Sequence, residues 1–479
     1  MSKIVNTNVL SRRYATEPIN VIFSEQGTII AERDLWIAVM KAQRELGVDI
    51  SAETIAKFEA AKHSIDLARI LEIEKKTRHD VKARIQAFVE AAQAPEQIHL
   101  GMTSRDATDN VEQMQNKRAG KFILGKYVSV LRHLVDKSEQ YAPIFLTART
   151  HHQAAQLTSL GRRMSMWAEE LYTHMHSFEH FLQGYPLRGI KGPVGTQFDM
   201  LTLLGSKEKV QKLEQRVAEQ LGFTTVLDAP GQVYPRSLDY ALVSHLAALG
   251  SAPQNFAIGM RLMAGYELVT EGFQEGQVGS TAMPHKMNTP GSERIWSLGE
   301  LLKMYGDGAS RLSGAQWEEG DVSCSALRRV VLPDAFYTSD GLCETTLTVL
   351  NKMGAYPRVI QKEIEHYLSF LATTEILTMA VKAGIGREQA HAVIKQHAVA
   401  EALAMREEGK EPALAARLAT DPLFQANNIT QASIEQLLQD TTHFIGNARD
   451  QIDRVRTKAH KHFFEPYAAE ARYEPGKIL

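Results

Sequence analysis

From Asp109 to Tyr141 the chain runs without a proline, and Val111, Met114, Ile123, Tyr127, Val130, Leu131 and Leu134 recur along it at helical spacing. A helix of that length far exceeds the globular average. It needs partners of similar length to cover its apolar stripe, so a bundle of extended helices is the expected centre of the fold. Further long patterns run from Gln156 to Gln183, from Leu238 to Gly272, near Ser292 to Leu312 and from Leu332 to Met353. Nearer the start, "AERDLWIAVMKAQRELGV" places Trp36, Val39, Met40 and Leu46 on one face and ends at Gly47, a stop signal. Prolines number 16 in 479 residues, which keeps helix breakers scarce. Strand signals are few; "FTTVLD" near residue 225 is the segment that reads as a small hairpin. The predicted class is all-α, with a central long-helix bundle whose excess apolar surface is buried against other copies of the chain.

The length exceeds what one core organises. Breaks at Pro95 and Gly101, and again at Gly354 and Pro357, place expected boundaries near 102 and 356. This divides the chain into helical regions 1–102, 103–356 and 357–479. A net charge of -2 excludes bulk electrostatic attraction to nucleic acid or anionic membrane, so an anionic substrate must be met by local arginines. Cys324 and Cys343 are too few for a disulfide framework and have no metal-ligand spacing, which fits a reducing cytoplasm. The first residues lack the apolar run of a secretory signal. The longest stretch free of Asp, Glu, Lys and Arg, Tyr240–Met260, contains His245, Pro253, Gln254 and Asn255 and suits a bundle interior better than lipid.

Four polar islands interrupt the helical text: "TRHDV" at 77–81, "HLGMTSRDATDN" at 99–110, "RTHHQAAQLT" at 149–158 and "GQVGSTAMPHKMNTPGSER" at 276–294. Each has an ordinary reading as a cap or a satisfied polar group. The chemical readings are sharper. In the first, Arg78 can grip an anion beside His79, which exchanges protons near neutral pH. In the second, hydroxyls at a helix start bind carboxylate or phosphate. Adjacent histidines at 151 and 152 diverge on any regular element, so at most one faces a given ligand, and a metal pair would use another spacing. The fourth combines Gly276 and Gly279 with Ser280, Thr281, His285, Lys286, Asn288 and Glu293, the make-up of a mobile lid over an anionic substrate.

The fourth island resembles the signature loop of the fumarase and aspartase superfamily, Gly-Ser-Ser-x-Met-Pro-x-Lys-x-Asn-Pro, with Thr281 for the second serine and Thr289 inserted before Pro290. "SRRY", "TRHDV", "HLGMTSRDATDN", "RTHHQAAQLTSLGRR", "GIKGPVGTQ", "APGQVYPRSLD" and "SALRRVVLPDAF" follow in the order of the adenylosuccinate lyase family. The chain is therefore similar to that family from about residue 8 to about 450. Argininosuccinate lyases, fumarases and cycloisomerases share the signature loop but not the set of islands. A non-catalytic scaffold of the same descent would have lost Ser280, His151 or Lys286.

The resemblance implies elimination of fumarate from adenylosuccinate, giving AMP, and from SAICAR, giving AICAR, with no metal and no organic cofactor. It implies Ser280 as the general base, His151 as the general acid on the leaving nitrogen, and His79 as a second active-site histidine. Lys286 and Asn288 would hold the substrate carboxylate, and Glu293 would orient the neighbouring histidine. Arg13, Tyr14, Arg78, Asp80, Ser325 and Arg329 match nucleotide and phosphate contacts; Thr103, Ser104 and Gln232 match succinyl and leaving-group contacts; Arg294 joins the binding set. The family architecture implies three all-α domains in a homotetramer whose active sites are shared between subunits. Two positions depart from relatives: Gly320 stands where many have a substrate-contacting arginine, and Ser237 replaces a lysine of the animal-like form.

Overall fold

The computed structural model describes residues 8–272, 283, 285–439 and 442–476. Among them the chain is all-α, with two short two-stranded sheets. The helix Ser104–Gln140 is 37 residues long, about 55 Å at 1.5 Å per residue. Thr103 caps it, and Asp106 answers in a capping box. Leu160–Gln183 and Ser325–Lys352 pack along it, and Ser237–Leu249, Ser251–Gly265 and Pro290–Ser310 pack against those two helices and one another. The helix Ser325–Lys352 is buried on several faces and carries Thr338, Thr345 and Thr346, whose hydroxyls donate to carbonyls four residues back at 2.6–2.7 Å.

The sequence patterns and the elements differ in instructive places. The pattern beginning at Leu238 is two helices, broken at Gly250. Pro253 lies in the first turn of the second, where its missing N–H is not needed. The pattern from Gln156 starts as a strand, and its helix begins only at Leu160, with Ser159 as N-cap. The segment near 225 is no hairpin: Val226 makes one isolated bridge to Leu187. The hairpin lies instead at Phe145–Thr150 and Gln153–Ser159, around the paired histidines. It joins two long helices, so it escaped the strand-spacing test.

Buried side chains form a large central core from the long helices. Leu10, Ile19 and Ile22 join it from the start of the chain, and Val455, Ala459 and Phe463 from its end. A second core sets Trp36, Phe58 and Phe88 against residues 185–223, and a third gathers 376–434. Among the described residues no helix is long and apolar enough to cross a membrane.

One close approach fixes the turn from the hairpin into the bundle. A Cβ on Gly161 would lie 2.1 Å from the Ser138 carbonyl oxygen and 2.5 Å from the Ala142 nitrogen, both backbone atoms. Gly161→Ala should destabilise the protein by about 1–3 kcal/mol, the range for overpacking, read as a lower urea midpoint. An unchanged midpoint would contradict this contact.

Candidate active site

The first turns of the Ser104–Gln140 helix place Asp106, Asp109, Asn110 and Gln113 inside the protein. Asp106 pairs with Arg188, both fully buried, and accepts from the backbone of Lys191 at 2.9 Å and Gly192 at 3.1 Å. Its second oxygen accepts from Thr103 N at 2.8 Å. Asn110 exchanges two hydrogen bonds of 2.9 Å with the backbone of Gly189, and Gln113 accepts from Arg188 N. Asp109 accepts from Tyr234 N at 3.1 Å and pairs with Arg236 and Arg105. A buried charge is tolerated only with partners such as these. Together they strap the loops around 189 and 234 to the end of the helix that bears Thr103 and Ser104. Gln232 is set in the second loop, its backbone N donating to Glu319 O at 2.7 Å.

Arg328 closes the network, bonding Glu112 and Asp239 at 2.6 Å each and also touching the Tyr234 hydroxyl. Burial opposes its charge, but Glu112, Tyr234 and Asp239 outweigh burial and raise its pKa. Arg328 is thus committed to the protein. Its neighbour Arg329 is exposed and reaches the same cavity. Pro333, which also lines that cavity, withholds the N–H that would bond the Arg329 carbonyl in a regular helix.

That cavity, about 710 Å³, gathers His79, Asp80, Ser104, Ser325 and Arg329 from three separate stretches of sequence. "TRHDV" is a joint between helices and not a helix face. Arg78, exposed and at φ +53°, ends Leu67–Thr77, and His79 caps Asp80–Ala92. The His79 Nδ1 accepts from Lys82 N at 3.3 Å, so a neutral ring carries its proton on Nε2, 3.3 Å from Ser104 Oγ. Among the wall residues unread in the sequence are Glu32, 1% exposed, and Arg84, paired with it at 2.6 Å. Burial pushes the Glu32 carboxyl up to about 7, against the pull of Arg84. Its signal was an acidic residue on the buried face of an amphipathic helix.

The paired histidines occupy the two-residue turn of the hairpin, between Thr150 and Gln153, at φ +50° and +63°. A turn with both central residues at positive φ matches the twist of the strands and ordinarily takes Asn-Gly. Histidines here give up some of that ease. His152 Nε2 lies 3.3 Å from the Tyr266 hydroxyl and borders a second cavity of about 550 Å³ with Arg149 and Arg163. His151 is exposed at the hairpin tip. The two cavities share no lining residue.

Ser280 and Thr281 lie outside the described residues. Lys286, Asn288 and Glu293 are exposed around the start of Pro290–Ser310, where Glu271 accepts from the backbone of Gly291 and Ser292. No hydrogen bond joins Glu293 to a histidine of the same chain among the described residues. Arg294 stands 5.8 Å from the ring of Tyr14, and Arg13 is exposed beside it. Gly320 adopts φ +135°, and a Cβ there would meet Val233 at 2.8 Å, so an arginine at this position would be strained in this backbone. Ser237 is the exposed first residue of its helix. Among the described residues no three His, Cys, Asp or Glu side chains converge as a metal cage.

Because the native Glu32 carboxyl holds its proton more tightly than an unfolded one, the stability it contributes is complete at low pH and is lost as pH rises through about 7. Glu32→Gln lacks this dependence. The stability difference between variant and parent should move in the variant's favour by about 2–3 kcal/mol from pH 5 to pH 8. A difference independent of pH would contradict the assignment.

Residues 15–299 match the lyase family, and residues 369–455 match the adenylosuccinate lyase C-terminus family. The chain is 33% identical to adenylosuccinate lyase of Saccharomyces cerevisiae over 98% of both chains. It is 34% identical to that of Schizosaccharomyces pombe over 94% of this chain and 93% of the relative. In fold it is similar to the 3-carboxy-cis,cis-muconate lactonizing enzyme from Pseudomonas putida, with a TM-score of 0.81, 19% identity and coverage of 95% of this chain and 99% of that one. With its signature loop and helical bundle, the chain belongs to the adenylosuccinate lyase family of the fumarase and aspartase superfamily.

Proposed function

We propose that the protein is an adenylosuccinate lyase of purine nucleotide biosynthesis, cleaving adenylosuccinate to AMP and fumarate and SAICAR to AICAR and fumarate. The observation that carries this reading is the convergence of His79, Asp80, Ser104, Ser325 and Arg329 on one cavity, in a chain related along its length to such enzymes. In the reaction, a base removes a proton from the carbon next to a carboxylate. The C–N bond then breaks, its electron pair leaves on nitrogen, and an acid protonates that nitrogen.

Ser280 serves as the base, reacting as an alkoxide in a site closed to water. His151 serves as the acid. Lys286 and Asn288 stabilise the carboxylate on which charge accumulates, and Glu293 orients the neighbouring histidine. Arg13, Tyr14, Arg78, Asp80, Ser325 and Arg329 hold the nucleotide and its phosphate, His79 stands near the phosphate and leaving group, Thr103, Ser104 and Gln232 hold the succinyl portion, and Arg294 completes the binding set. No cofactor has a role in this scheme.

The assembly is a homotetramer with shared sites, in the cytoplasm, built from regions 1–102, 103–356 and 357–479. Support comes from apolar side chains left exposed on the bundle: Ile258 and Leu262 one turn apart, with Met166 and Met304 on neighbouring helices. It also comes from the separation of His151 from the His79 cavity within one chain. Leu262→Glu should lower the mass measured by light scattering below that of a tetramer and reduce activity in parallel; an unchanged mass would exclude this face from the assembly.

The absorbance change on mixing purified protein with adenylosuccinate tests the reaction, with argininosuccinate and malate run alongside. Turnover of adenylosuccinate is expected, and Ser280→Ala should bind it while losing on the order of a thousandfold or more in kcat. Turnover of argininosuccinate or malate alone, or a fully active Ser280→Ala, would overturn the reading.

A further inference from the structure

We propose that Lys126, Asp340 and Glu344 form a buried positioning device through which the docked C-terminal segment sets the place of Arg13 and Tyr14, and with it the affinity for substrate. This rests on the reading of Arg13 and Tyr14 as nucleotide contacts.

The three residues come from the two longest helices, in the central core. Lys126 is 3% exposed and both carboxylates are fully buried. Its ammonium pairs with Asp340 and, at 2.6 Å, with Glu344, so two buried carboxyl groups share one cation. Such a cluster persists only if further donors satisfy the carboxylates. They come from the two ends of the chain. The Asp340 Oδ2 accepts from Thr16 N at 2.6 Å and from the Thr16 hydroxyl at 2.8 Å. Glu344 accepts from the Tyr473 hydroxyl and, at 2.8 Å, from Gly476 N. Lys126 Nζ itself lies 4.9 Å from the Tyr473 ring centroid and 3.3 Å from Thr16 Oγ1.

Thr16 follows Tyr14 by two residues. The helix that carries Arg13 is five residues long, Val9–Arg13, with only Leu10 buried, so it cannot hold its own orientation. What fixes it is external: the double hydrogen bond on Thr16, and the seat of Tyr14 on Gly341, where a Cβ would come within 2.6 Å of the Tyr14 Cβ. Gly341 adjoins Asp340 on the same helix. Asp340 is therefore the anchor on the Tyr14 side of this segment, with Asp334 accepting from Asn8 at 2.6 Å on the other side, and the charge of Asp340 is shared through Lys126 with the carboxylate that holds the C-terminal segment. Weakening the Glu344 side draws Lys126 towards Glu344, away from Asp340 and from the Thr16 hydroxyl it also touches, which displaces Asp340 and the Thr16 anchor from their places.

The test is a double-mutant cycle on the assembled enzyme with Tyr473→Phe and Arg13→Ala. Tyr473→Phe removes one hydroxyl and should raise the KM for adenylosuccinate about three- to tenfold, with kcat within about twofold of the parent. In the Arg13→Ala background the same change should add nothing to KM, because the contact it positions is gone. Thr16→Val tests the Asp340 side of the link should Tyr473→Phe fail to assemble; a parental KM there would overturn the device as well. Equal KM effects in both backgrounds, or a parental KM in the folded single variant while Arg13→Ala raises it, would overturn the device. A parental KM in Arg13→Ala alone would overturn it differently, by removing the nucleotide contact it serves.

Discussion

The architecture depends on a row of buried carboxylates at one end of a single helix. Asp106 and Asp109 enter the interior at the start of Ser104–Gln140 and draw Arg188 and Arg236 in after them, and one turn on the half-buried Glu112 bonds the buried Arg328. Buried ion pairs are weak sources of stability against well-packed apolar residues, but removing one partner of such a pair costs about 3–5 kcal/mol. Their effect is therefore specificity. The loops around 189 and 234 have one place to go, because only there are Asp106 and Asp109 satisfied. Thr103, Ser104 and Gln232 inherit their positions from that arrangement, and a rigid rod about 55 Å long carries the result through the molecule.

A rod of that length separates as well as connects. Within one chain His151 does not line the His79 cavity, and its neighbour His152 borders a different one. Elimination requires base and acid on one substrate, and in the proposed reading neighbouring copies bring these parts together. The apolar side chains exposed on Ser251–Gly265 and Pro290–Ser310 offer the driving force for such an assembly. The same economy appears at the chain ends, where the Lys126 cluster satisfies its two carboxyl groups with donors from residues 16 and 473–476.

Much of this was legible in the sequence because it rests on local rules. The long helices follow from apolar period and scarce proline, the helix start at Thr103 and Ser104 from their hydroxyls, and the lining of one cavity from islands that resemble a family pattern. The hairpin at 145–159 was missed because its turn carries His-His in place of Asn-Gly, and positive φ leaves no mark on such residues. The break at Gly250 was missed because the apolar period continues across it. Glu32 and Arg84 were missed because their pairing spans 52 residues and no local rule predicts it. Gly320, a departure from relatives with an arginine, has a φ of +135°, a conformation that one sequence does not reveal. Ser280, the residue on which the chemical reading leans most, falls outside the described residues, and its role stands on the resemblance alone.

The central claim is that a complete site is built from more than one copy of the chain. The direct measurement mixes two inactive variants, His151→Ala and Ser280→Ala, lets subunits exchange, and assays fumarate release from adenylosuccinate. Shared sites predict that mixed tetramers recover a substantial fraction of parental activity, because some sites then draw an intact histidine from one chain and an intact serine from another. Mixed tetramers verified by mass spectrometry that stay inactive would contradict it, and would place acid and base in a single chain.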